Sequence, residues 1–165
     1  MFGNVLLNSL WVGFLAGMIS GMVKIGWEAM FPPRNKARNA VNPPQRLLQQ
    51  MGVPASVTHA TVTEAEDQEV PYVALIMHFG FSVAFAILFV FLANFWGWVT
   101  YGQGSLYGIV IWIAFHWIIL PALGTIPPAW KQPLYENLSE FFGHIVWAWT
   151  IYIVALALPV SGVYF

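Results

Sequence analysis

The chain has 165 residues, of which 59% are hydrophobic, 17% aromatic and only 8% charged, with a formal net charge of −1. An ordinary soluble domain is about one-quarter charged, so this composition excludes one and indicates a membrane protein. Cysteine is absent, which excludes disulfides and thiolate metal sites, and the basic residues at 34–46 read as a juxtamembrane cluster rather than a nucleic-acid patch.

Four apolar stretches, 5–31, 71–97, 104–124 and 134–160, each reach the roughly 20 residues that cross a bilayer core. The first is expected to be retained rather than cleaved. It lacks a basic start and ends in Lys24 and Glu28 instead of a small-residue cleavage site. Gly13, Gly17 and Gly21 form a ridge of the kind that lets helices approach closely, and Lys24 and Glu28 continue that face. The long connection 32–70 opens "PPRNKARNAVNPPQ", whose double prolines stop the helix. Leu47, Leu48 and Met51 suggest one amphipathic turn on the membrane surface, and "TEAEDQE" a solvated acidic run.

The second span places His78, Ser82 and Ala86 on one face. The third, reached through "GWVTYGQ", does the same with Gly108, Trp112, His116 and Leu120, and Pro121 is expected to kink or end it. A proline-rich turn, "GTIPPAWKQP", leads to the fourth, where "LYENLSEFFGHIVWAW" spaces Glu136, Glu140 and His144 by four residues. Short connections make consecutive spans antiparallel. The expected fold is therefore all-α, a four-transmembrane-helix antiparallel bundle forming one domain over residues 1–165, with both termini on one side.

Depth below the face that carries the long loop follows from a rise of about 1.5 Å per residue. Lys24 and His78 lie roughly 10 Å down, His116 lies at a similar level, and Glu136, Glu140 and His144 descend in steps of roughly 6 Å. The opposite half of the membrane contains no Asp, Glu, Lys, Arg or His. Each residue has a bland explanation: Lys24 and Glu28 as an i,i+4 ion pair, Glu136 as a partner of the helix dipole, a histidine as a packing residue. Yet one isolated charge in the core costs at least about 2.5–3.5 kcal/mol, so a cluster in one half-membrane reads as a site.

Three readings follow. In the leading one Glu140, His144, His116, His78, Lys24, Glu136 and Glu28 line a proton-linked or pH-sensitive pathway for a small solute, a transporter or channel without a cofactor. In the second, His78, His116, His144 and Glu140 hold a metal ion such as Zn, Fe or Cu, or two of the histidines hold a haem, with an enzymatic role left open. No local metal motif supports it, since the fourth span has E-x-x-x-H. In the third, the cluster only fixes helix register. Trp11, Trp98 and Trp130 belong to an interfacial belt.

Four segments together, "FLAGMISGMVKIGWEAMFPPR", "HFGFSVAFA", "FHWIILPALGTIPP" and "LYENLSEFFGHIVWAW", resemble the YagU-like bacterial inner-membrane proteins. The matching positions include Lys24, Glu28, His78, His116, Glu136, Glu140 and His144. The resemblance implies a multi-pass protein of the bacterial inner membrane, in a family whose activity is unsettled and which is associated with acid tolerance. This chain departs from the family in having little polar sequence outside its first and last helices. The family's pattern argues for the reverse orientation, whereas all 6 Lys and Arg lie on the loop face, which favours a cytoplasmic loop. Beyond the lipid bilayer, the expected partners are protons or a small solute, and further copies of the chain in a homo-oligomer packed through the glycine ridge; no nucleic acid is expected.

Overall fold

A computed structural model describes residues 2–37, 39–66 and 68–163. Four helices are long and apolar enough to cross a membrane. The first span is Phe2–Met30, stopped by the prolines at 32 and 33, which lack the N–H that another turn requires. The second, Tyr72–Ala93, starts directly after Pro71, and the fourth, Leu134–Ala157, after Pro133. Proline is well tolerated at the start of a helix, where its missing donor has no partner to lose. The third occupies Ser105–Ala122.

The first span lies between the second and the fourth, and the third packs against the fourth. Glycine decides the closest of these contacts. A Cβ on Gly17 would lie 2.8 Å from the backbone nitrogen of Val83, and one on Gly13 2.7 Å from that of Ile87. Because the ridge admits the second helix so closely, Ser82 Oγ donates to the Gly17 carbonyl at 2.7 Å and meets Ser20 Oγ at 3.1 Å. The ridge is thus filled by a helix of the same chain. It leaves no face there for a second copy, so the glycine ridge is not the interface of a homo-oligomer.

Away from the loop the bundle interior is mainly apolar. Val12, Ala16, Ala86, Phe89, Val90 and Ile151 are wholly buried, with Trp147 beside them. The Tyr107 hydroxyl reaches the Phe85 carbonyl at 2.7 Å, closing the gap between the second and third spans. Outward faces carry exposed Leu7, Phe14, Ile76 and Ile118, as a surface solvated by hydrocarbon requires, while the backbone groups are satisfied within each helix.

The third span is distorted ahead of Pro121, where a kink or an early end is expected, but it does not end there. It is α-helical over Ser105–Trp112, widens to a π-helix over Ile113–Ile119, and resumes for the turn Leu120–Ala122. Leu120 N–H donates to the Phe115 carbonyl, five residues back. Pro121 supplies the physical reason: it has no N–H to donate and its ring crowds the carbonyl four residues earlier, and widening the turn relieves both. The widened turn also changes which residues share a face. Trp112 packs against Phe141 and Trp117, whereas His116 is buried toward the bundle interior.

The long connection is more ordered than its composition suggests. Asn42 and Gln45 form a reciprocal capping box that starts the helix Pro43–Gln50, satisfying two donors that a helix start would otherwise leave bare. One further turn, Ala55–Thr58, precedes an exposed hairpin that pairs Val62–Ala65 with Gln68–Val70. Glu64, Glu66 and Glu69 of the acidic run therefore lie on an exposed hairpin. Gln50 donates to the Leu123 carbonyl at 3.0 Å and accepts from Thr125 Oγ1 at 2.7 Å, tying the connection to the end of the third span.

Candidate functional site

The loop-side half of the bundle encloses a cavity of about 520 Å³. Its roof is the connection, including Pro32, Pro33, Asn42 and Leu47; its floor is Phe81, Ser82, Phe115 and Trp147. The floor is held by edge-to-face packing of Phe81 on Phe115, centroids 4.9 Å apart, and by Trp147 Nε1–H donating to Ser82 Oγ at 2.8 Å. Below it lies the mainly apolar core.

Glu140 is the hub of the polar wall. Its Oε1 accepts from Arg34 Nη2 at 2.7 Å, and its Oε2 accepts from Lys24 Nζ at 3.3 Å. His116 Nε2 stands 3.7 Å from the same Oε2. Each cation on Glu140 also has a second carboxylate: Lys24 pairs with Glu28 one turn away, and Arg34 Nε pairs with Glu136 Oε1 at 3.1 Å. One residue thus links the first span, the connection, the third span and the fourth.

Helical spacing accounts for part of this. Glu136, Glu140 and His144 recur at i,i+4 and lie on one buried face. His144 Nδ1 bonds to the Glu140 carbonyl at 2.7 Å. A carbonyl oxygen only accepts, so Nδ1 carries a proton, and in the neutral ring Nε2 keeps its lone pair. Gly108 lets the third span approach here: a Cβ on it would lie 2.6 Å from the His144 carbonyl oxygen. The His116 and His144 rings then meet edge to face, 5.0 Å between centroids.

His78 stands apart from this group. It lines the cavity, but its Nε2 donates to the Gly21 carbonyl at 3.0 Å, and its ring lies edge-on to Phe79. Among the described residues, His116, Glu140 and His144 are buried and bring potential metal-ligand atoms within 4.8 Å of one another. The His116 and His144 rings are in direct contact, 5.0 Å between centroids, which leaves no room for a macrocycle between that pair. Glu136 stands in the first turn of its helix, where the dipole favours a carboxylate, and it is also deeply buried and joined to Arg34.

Arg34 is the site residue that sequence reasoning missed, having been grouped with the juxtamembrane cations. Trp27 Nε1 donates to the Ser139 carbonyl at 3.0 Å, and Ser139 Oγ donates to the Phe31 carbonyl. These bonds fix the end of the first span beside the start of the fourth, and the rigid Pro32–Pro33 step then delivers Arg34 to the two glutamates. One signal was available: two glutamates a turn apart on a lipid-bound helix need more positive charge than Lys24 supplies.

A family described as a protein of unknown function (DUF1440) matches residues 18–153, a span that contains every residue of this site. The chain belongs to that family. It is similar to the inner membrane protein YagU of Escherichia coli (strain K12), with 31% identity over 166 residues, covering 87% of this chain and 80% of the relative. No solved structure matches it. Together with the four apolar helices, these likenesses make the chain a membrane protein with a buried polar cluster.

Proposed function

We propose that the chain is a multi-pass protein of the bacterial inner membrane that carries a proton-linked or pH-sensitive pathway for a small solute. The observation that supports this is a cavity confined to one half-membrane, with Glu140 held in its wall by cations that each have another carboxylate. A proton arriving on Glu140 abolishes its charge. Lys24 then rests on Glu28 and Arg34 on Glu136, so the wall rearranges without stranding a buried cation, a state that would be costly. His116 Nε2, 3.7 Å from the Glu140 carboxylate, reaches it for proton exchange through one water or a small side-chain shift, and Arg34 transmits the change to the roof, because it lies on the connection. The acid tolerance implied by the resemblance would act through this element, which faces the cytoplasm if the loop is cytoplasmic.

The test uses proteoliposomes with an entrapped pH-sensitive dye and an imposed pH step. Glu140→Gln is expected to fold and to lose the pH-dependent flux of the parent protein. Undiminished flux in that variant would favour a cluster that only fixes helix register.

A further inference from the structure

We infer that the ligand of this cavity is a divalent transition-metal cation of the zinc class, held by His116, His144 and Glu140. The inference rests on the reading of the cavity as a solute site and adds a ligand class to it.

The donor set supports it first. Two imidazoles and a carboxylate form a three-ligand set that leaves a coordination position open, and all three side chains line the cavity, from which water or a further ligand can complete the shell. The His144 tautomer is fixed by its backbone bond, which orients the ring and leaves Nε2 able to bind, as partners outside the ligand shell do in known sites. The ligand atoms lie within 4.8 Å of one another, against about 3.3 Å for two ligands at tetrahedral angles on one ion. Closing that difference of about 1.5 Å takes side-chain rotation at more than one of the three residues.

The counter-ions support it second. Lys24 Nζ, 3.3 Å from Glu140 Oε2, stands where a metal would bind that oxygen. Such a contact would exclude a metal if the ammonium had no alternative. It has one, since Lys24 is already paired with Glu28, and Arg34 is likewise paired with Glu136. Metal entry therefore exchanges one cation for another on Glu140. His78 takes no part, because its Nε2 is committed to the Gly21 carbonyl.

The experiment uses the full chain in detergent after treatment with a chelator. Zn²⁺ is titrated by calorimetry, and Co²⁺ is added as a spectroscopic probe. One ion per chain is expected, with the intense visible bands of four-coordinate Co²⁺. His144→Gln and His116→Gln should each weaken binding by roughly tenfold or more, whereas His78→Gln should not change it. Lys24→Gln should tighten binding, since the competing ammonium is gone; weaker binding there would overturn the exchange. Absence of stoichiometric binding to the parent protein would overturn the metal site, as would binding retained by the His116→Gln, His144→Gln double variant. The parent Co²⁺ spectrum decides the matter if a variant fails to fold. Proton flux is measured separately on the same preparations. Flux without metal binding rejects the metal and leaves the pathway, and metal binding without flux does the reverse.

Discussion

Replacing Arg34 by Met tests whether this residue belongs to the membrane site or merely to a basic loop. The substitution removes contacts of 3.1 Å to Glu136 and 2.7 Å to Glu140, between side chains that are 10%, 2% and 5% exposed. Breaking a buried ion pair costs about 3–5 kcal/mol, and Glu140 remains held by Lys24, so the loss should fall near the lower end, about 3 kcal/mol. A chain of this size shifts its melting temperature by about 2–4 °C per kcal/mol, giving a fall of roughly 6–12 °C in detergent. Lys36→Met is the control, because it deletes one positive charge from the same connection at an exposed position and should stay within about 0.5 kcal/mol of the parent. Both variants change the charge balance across the membrane equally, so a defect in insertion cannot separate them. Adding Glu140→Gln to Arg34→Met should restore part of the loss, since the carboxylate that lost a partner is then uncharged. If the Arg34 and Lys36 variants melt together, the placement of Arg34 between the two glutamates is wrong.

Lys24→Met should also lower thermal stability sharply and recover in part with Glu140→Gln, whereas Glu28→Gln should cost only about 0.5 kcal/mol, because Glu28 is partly exposed and water can replace it; strict additivity of the Lys24 and Glu140 losses would exclude their coupling. Gly17→Ala should cost about 1–3 kcal/mol by forcing the first two spans apart. Gly26→Ala, with open space around it, should instead gain up to about 1 kcal/mol from helix propensity, and equal melting temperatures for the two would contradict the packing at the ridge. A C-terminal fusion should be active with alkaline phosphatase and dark with a fluorescent protein that folds only in the cytoplasm, as a cytoplasmic loop requires; the opposite pattern reverses the orientation.

Local chemistry along the chain is enough to define the four spans, their antiparallel order and the confinement of ionisable residues to one half-membrane. Hydrocarbon cannot satisfy backbone groups, so long apolar runs must be helices, and their rise per residue converts position into depth. Depth carries no azimuth, however. His78 lies at the level of Lys24 yet turns to the Gly21 carbonyl, while His116 and His144 meet. The π-turn that places His116 arises from crowding at Pro121 within a packed helix, and periodicity assumed a regular one. The glycine ridge announced a close neighbour but could not say whether it was the second span or another copy, because small residues admit any helix of suitable shape. Arg34 shows the same limit most plainly. Its charge and its position after two prolines are visible in the chain, but its role depends on Trp27 and Ser139 bringing two helix ends together. Spans and depths follow from interactions local in sequence; the partners Lys24, Arg34 and His116 of Glu140 come from three other segments and are set only when those segments pack.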